Sequence, residues 1–187
     1  MRKKSEGLEI LRVGFILFAI TAVAALVLAY VNSLTRPIII EQEENKMAEA
    51  MFEVLPDADD FEEIPIEASD ATSVRRFYKS DAGYVVMAMP SGYGGEISMM
   101  VGVDNDLKVT GISIISQSET AGLGAKCTEK EWQDQFIGKT ENITVSKNGA
   151  KDNEIDAISS ATITSKAVTK GVNDAIDAVK AIIGGDE

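Results

Sequence analysis

Residues 157–168 read AISSATITSKAV and place five hydroxyl side chains in twelve positions. A serine or threonine oxygen can be esterified to a phosphate, and it can equally cap a helix by accepting a backbone N–H. Asp156 precedes the run, and Ser159, Ser160 and Thr162 each stand where a cap for the following amphipathic helix would stand. The start of such a helix offers unpaired N–H groups and a partial positive charge, which favours a phosphate there. Pattern alone makes capping the leading reading and phosphoester chemistry the alternative. Two glycine loops accompany this segment: SGYGGE at 91–96 and ETAGLGAK at 119–126. Glycines let backbone approach a ligand closely. Neither loop has the phosphate-binding spacings GxGxxG or GxxxxGK[ST], so each by itself reads as a turn.

Composition narrows the chemistry. The 187 residues contain no histidine and one cysteine. Ser-His-Asp and Cys-His catalysis are therefore excluded within the chain, and the commonest metal ligand is missing. Cys127 alone builds neither a disulfide nor a zinc or iron–sulfur site, and it reads as a small buried side chain. No catalytic residue and no metal site are expected; the chain borrows its chemistry from a cofactor or has none. Thirty acids against eighteen bases give a net charge of −12, which repels phosphate backbones and argues against nucleic-acid binding.

These loops need elements to position them. Val13–Val31 is nineteen residues without a charge, long enough to cross a hydrocarbon core as a helix. It ends Ala29-Tyr30-Val31-Asn32, a poor cleavage site for a signal peptide. Arg2, Lys3, Lys4 and Arg12 precede it, and an acidic stretch, Glu41–Glu44, follows. The positive-inside bias then keeps residues 1–12 in the cytoplasm and sends the rest across the inner membrane as a single-pass protein. Residues 32–72 read as a helical and acidic connection: a helix from about 38 to 55 after Pro37, ended by Pro56-Asp57, then an irregular surface loop over 57–72.

Residues 73–187 read as an α+β domain, one antiparallel sheet flanked by helices. Strands are expected at Val74–Tyr78, Gly83–Met89, Glu96–Asp104 and Lys108–Ser116, with Asn105-Asp106-Leu107 as a hairpin connection and Ile143–Ser146 as a further strand. Glu129–Ile137 reads as a short helix. Ala167–Ile183 is the last one, with Val168, Val172, Ala175, Ile176, Val179 and Ile183 on one face.

An anchor, an SGYGG loop, an E-T-x-G-L-G loop, a helix bearing Trp132 and Asp156-x-x-Ser159-Ser160-Ala161-Thr162, in that order, resemble the FMN-binding domain family. Within it the pattern is most similar to the G subunit of the Rnf electron-transport complex, a relative of the C subunit of the sodium-pumping NADH:quinone reductase. The resemblance implies that a flavin transferase joins FMN through its phosphate to Thr162, with Thr164 as the neighbouring candidate. It implies a flavin pocket lined by Glu119, Thr120, Gly122, Leu123 and Gly124. Gly92, Tyr93, Gly94 and Gly95 would lie nearby, and Ser159, Ser160 and Ala161 would contact the phosphate or ring edge. The family's usual glycine before the motif alanine is Ser160 here, and its usual proline in the second loop is Ala121.

The function so implied is a membrane-anchored electron carrier within a ferredoxin:NAD⁺ oxidoreductase coupled to Na⁺ or H⁺ movement, working beside membrane, iron–sulfur and flavin subunits rather than as a stand-alone enzyme. Two rivals stand beside it: the C subunit of the quinone reductase, usually a longer chain, and a non-flavin extracytoplasmic binding or structural domain whose hydroxyl loop is an ordinary helix cap.

Overall fold

The structure, a computed structural model, describes residues 3–65 and 72–185. The chain divides into two units, Met1–Asn45 and Lys46–Glu187. Helix α1 spans Lys3–Val54 and makes up the described part of the first unit. Within that unit its large apolar side chains are exposed, Leu11, Phe15, Phe18 and Leu26 by more than two-thirds each. Among the described residues it is the one helix long and apolar enough to cross a membrane. The expected new start after Pro37 does not occur, because α1 runs through it. Proline costs the helix one N–H, the one that would reach the Ser33 carbonyl. The Thr35 hydroxyl donates back to the Val31 and Asn32 carbonyls just before it. The helix does stop ahead of Pro56-Asp57, as expected.

In the second unit, strands β1 (Glu62–Ile64), β2 (Val74–Lys79), β3 (Gly83–Ala88), β4 (Ser98–Asp104) and β5 (Val109–Ser116) form one antiparallel sheet in chain order. β2 to β5 fall where the alternating and β-branched runs put them. β1 corrects the expectation of an irregular loop over 57–72. It is a three-residue acidic edge strand pairing only with β2, too short and too charged to carry an apolar signal. Residues 66–71 of that expected loop lie outside the described residues.

Side-chain alternation assigns the two faces of the sheet. Tyr84, Val86 and Ala88 of β3 and Met99, Val101 and Val103 of β4 enter one core. Opposite them is helix α3 (Thr162–Gly185), whose Val168, Val172, Ala175, Ile176 and Val179 are fully buried. Val85 and Met100 enter a second core with Ala50, Met51 and Val54 from the end of α1 and with Leu55 just after it. There the Thr110 hydroxyl donates to the Val54 carbonyl, one of those a helix C-terminus leaves open. Coverage on both faces is why β3 and β4 read as near-continuous apolar runs.

Three local expectations change. The region expected as one helix at 129–137 is a short helix α2 (Lys130–Gln133) between two 3₁₀ turns, Gly124–Thr128 and Asp134–Phe136. The strand at 144–146, β6, does not join the main sheet but pairs in parallel with β7 (Glu154–Asp156). Finally, α3 begins at Thr162, five residues before Ala167. Thr-Ile-Thr-Ser is a weak helix former, and packing of the buried Thr164 and Ser165 overrides that preference.

Asp174 ties α3 to the first residue ahead of β2. It accepts the Ser73 N–H at 2.8 Å and the Ser73 hydroxyl at 2.6 Å, and Lys170 lies 2.5 Å away. Burial pushes its carboxyl up, but the bonds from Lys170 and Ser73 outweigh it and hold it below the ordinary value. A depressed carboxyl contributes stability above its unfolded pKa, and that contribution disappears as pH falls through the folded value. Asp174→Asn should therefore cost about 1–2 kcal/mol at pH 7, with the deficit closing below about pH 4, measured by denaturant unfolding across that range. A deficit that does not vary with pH contradicts this.

Candidate functional site

The β3–β4 connection and the end of β5 lie at the same end of the sheet, since Ser98 pairs with Ser116. The loop 91–96 is closed by a Ser91–Glu96 bridge and by Gly92 N–H donating to Gly95 at 2.7 Å. After β5, Leu123 N–H donates to Thr120 at 3.1 Å, closing a turn whose third residue, Gly122, has φ +76°. That is the position where a type II turn asks for glycine, and Ala121 occupies the one that accepts proline. The family's usual proline is thus replaced at a site whose turn forms without it.

The third segment is held from below. Trp132 donates its ring N–H to the Asp156 carbonyl at 2.8 Å, and Gln135 accepts the Asp156 N–H at 2.7 Å. The buried Ser165 hydroxyl accepts the Ile158 N–H at 2.9 Å and donates to the Ala161 carbonyl at 3.0 Å. Ala161 N–H closes back on Ile158, and Ser160 within that turn has φ +63°. Ser160 therefore occupies a left-handed position that favours glycine, which gives the glycine-to-serine departure a structural meaning.

The capping expectation is not met. Among the described residues, the hydroxyls of Ser159, Ser160 and Thr162 make no hydrogen bond within the protein. The first helical bond of α3 is Ser165 N–H to Ala161. The N–H groups of Thr162, Ile163 and Thr164 thus find no protein acceptor among the described residues, as at an uncapped helix start.

Glu119 joins the three segments. One carboxylate oxygen accepts the Gly94 N–H at 2.9 Å, and the other accepts the Thr164 hydroxyl. Both partners are remote in sequence, and Glu119 is only 9% exposed. Gly124 sits against this pair. A Cβ there would stand 2.6 Å from both the Glu119 Oε2 and the Thr164 Oγ1, so only glycine lets the second loop close over the carboxylate.

Together these segments enclose a cleft of about 470 Å³ lined by Tyr93, Glu119, Thr120, Leu123, Gly124 and the turn Ser160–Thr164. Of the residues expected from sequence, Tyr93, Glu119, Thr120, Leu123, Gly124, Ser160, Ala161, Thr162 and Thr164 meet there. Gly92, Gly94, Gly95 and Gly122 shape the loops without lining the cleft. Ser159 faces an adjoining cavity with Lys147, Ser160 and Thr162. The sequence assigns no site role to Ile163, exposed at the rim, or to the buried Ser165. Both belong to the hydroxyl segment, but the facing of a helix start cannot be read before its first residue is known. Tyr93, Leu123 and Ile163 are exposed by 71%, 41% and 56%.

The cleft fits a flavin nucleotide. Its volume lies within the roughly 300–1,000 Å³ typical of organic cofactor sites. It has apolar walls for a ring and three free N–H groups for a phosphate. Cys127 is buried and supplies no thiolate: burial, and then the Glu119 charge, push its thiol up to about 11, so it stays protonated at neutral pH.

Residues 92–177 match the family model of the FMN-binding domain, and residues 1–54 match that of the RnfG N-terminal region. The chain is 42% identical to the G subunit of the Na(+)-translocating ferredoxin:NAD(+) oxidoreductase complex of Acetobacterium woodii, over 88% of each chain. It is 36% identical to the proton-translocating counterpart of Clostridium ljungdahlii, over 87% of this chain and 88% of that one. The C subunit of the Na(+)-translocating NADH-quinone reductase from Parabacteroides distasonis, a crystal structure, shares the fold at 21% identity. Its TM-score is 0.56, covering 76% of this chain and 94% of that one.

The left-handed Ser160 yields a direct check. Ser160→Gly should stabilise the protein by about 1 kcal/mol, seen as a raised thermal midpoint. A lowered midpoint contradicts this backbone placement.

Proposed function

The chain belongs to the G subunits of the ion-translocating ferredoxin:NAD⁺ oxidoreductase complexes, the Rnf family, and we propose that its part there is to hold FMN covalently on Thr162 and relay electrons at the outer face of the membrane. It carries an FMN-binding domain and is one subunit of a multi-subunit oxidoreductase. The proposal adds the bond, the residue and the side of the membrane.

The observation that carries it is the difference between two neighbouring threonines. Thr164 is 1% exposed and its hydroxyl is engaged by Glu119. Thr162 is half-buried, opens into the cleft and has no hydroxyl partner among the described residues. Of the two candidates, Thr162 is the one whose hydroxyl is not already engaged by a side chain of the protein. The uncapped N–H groups of Thr162, Ile163 and Thr164 would bind the phosphate oxygens, and the partial charge of α3 would favour them. Tyr93, Leu123 and Ile163 would cover the ring and keep water from it. Bound there, the flavin supplies one- and two-electron chemistry that no side chain of this chain provides. A phosphoester at the far end from the ring would keep the cofactor from being lost where no FMN pool exists.

The anchor's orientation is part of the same proposal. The apolar helix α1, with Arg2, Lys3, Lys4 and Arg12 before its apolar run and acids after it, fits a single crossing of the inner membrane with the N-terminus in the cytoplasm. The FMN domain would then face outward, beside the membrane, iron–sulfur and flavin subunits of the complex, and a flavin transferase would mature it. The two relatives are named for different ions, so kinship leaves Na⁺ and H⁺ equally open.

The test is fluorescence under ultraviolet light after denaturing electrophoresis of full-length protein made with the transferase. The wild-type band should fluoresce, Thr162→Ala should be dark, and Thr164→Val should still fluoresce. A fluorescent Thr162→Ala band refutes the assignment.

A further inference from the structure

Glu119 is a buried carboxylate on the wall of the cleft, and among the described residues no lysine or arginine lines that cleft. Its two oxygens are held by neutral donors, the Gly94 N–H and the Thr164 hydroxyl. Its charge is therefore delocalised into hydrogen bonds but not cancelled.

A group occupying the cleft feels the same field. Two electrons and one proton leave a flavin one negative charge richer than its oxidised form, whereas two electrons and two protons leave it neutral. A fixed negative charge opposes the first outcome. A unit charge within about 10 Å at an effective dielectric of about 20 changes such an equilibrium by at least tenfold.

We propose that Glu119 is a potential-setting residue, its buried, unneutralised carboxylate holding the reduction potential of the cleft's flavin low. This rests on the flavin occupying the cleft as proposed above. The role separates from the loop-joining one. Joining needs hydrogen bonds, which glutamine largely retains, whereas setting the potential needs the charge, which glutamine lacks.

The experiment is a spectroelectrochemical titration of full-length, flavin-loaded protein in detergent at pH 8, with dithionite as reductant and dyes of known potential. Glu119→Gln should raise the midpoint by at least a tenfold change in the oxidised-to-reduced ratio, about 30 mV for a two-electron couple. Thr164→Val loosens the same junction but keeps the charge, and should not raise it. A fluorescent Glu119→Gln protein with an unchanged midpoint overturns the proposal, and so does Thr164→Val raising the midpoint equally. If Glu119→Gln takes up no flavin, Leu123→Lys at the exposed rim sets a cation against the carboxylate. It should raise the midpoint likewise, and no rise there overturns the proposal. A wild-type band with no covalent fluorescence instead removes the reading on which this one rests.

Discussion

One buried carboxylate organises the cleft. Glu119 takes an N–H from the loop between β3 and β4 and a hydroxyl from the first turn of α3. It sits three residues beyond β5, its own N–H donated to the Gln117 side chain. A carboxylate so enclosed is costly unless its oxygens are bonded, so the three segments hold one another. Remove the acid and Gly94 and Thr164 lose their partner together. The same engagement occupies the Thr164 hydroxyl, whereas those of Ser160 and Thr162 have no protein partner among the described residues.

The sheet makes this meeting possible. In an antiparallel meander, the turn before β4 and the exit of β5 return to one end, and the Ser98–Ser116 pairing fixes that neighbourhood. α3 packs across the face of the sheet through Val168, Val172 and Ile176, which sets its N-terminus against the two loops. The small β6–β7 pair and Trp132 brace the chain entering α3, so the hydroxyl turn is held at both ends. The opposite face is occupied by the end of α1, with the Val54 carbonyl satisfied by Thr110. Fold and site thus depend on the same registers.

How much of this was legible in the sequence follows from how local each feature is. β3, β4 and the buried stripe of α3 announce themselves through short-period apolar patterns. β1 and β7 do not, because three residues cannot show a period. Pro37 misleads, since a lost N–H reads as a helix boundary from sequence while the helix bears it. α3 starts earlier than its apolar pattern indicates because Thr-Ile-Thr-Ser owes its helicity to burial. The site residues were named largely through family resemblance, and most of them do converge on the cleft. The Glu119–Thr164 bond spans 45 residues, and no spacing rule signals it. The left-handed Ser160 was legible only as a departure from glycine, and its geometry supplies the reason for the glycine.

The most direct measurement is mass spectrometry of the tryptic peptide Asp152–Lys166 from full-length protein matured with its flavin transferase. Attachment at Thr162 predicts that this peptide carries the mass of FMN less one water and that fragmentation places it on that residue. An unmodified peptide, or an adduct on Thr164 or a serine, would contradict it.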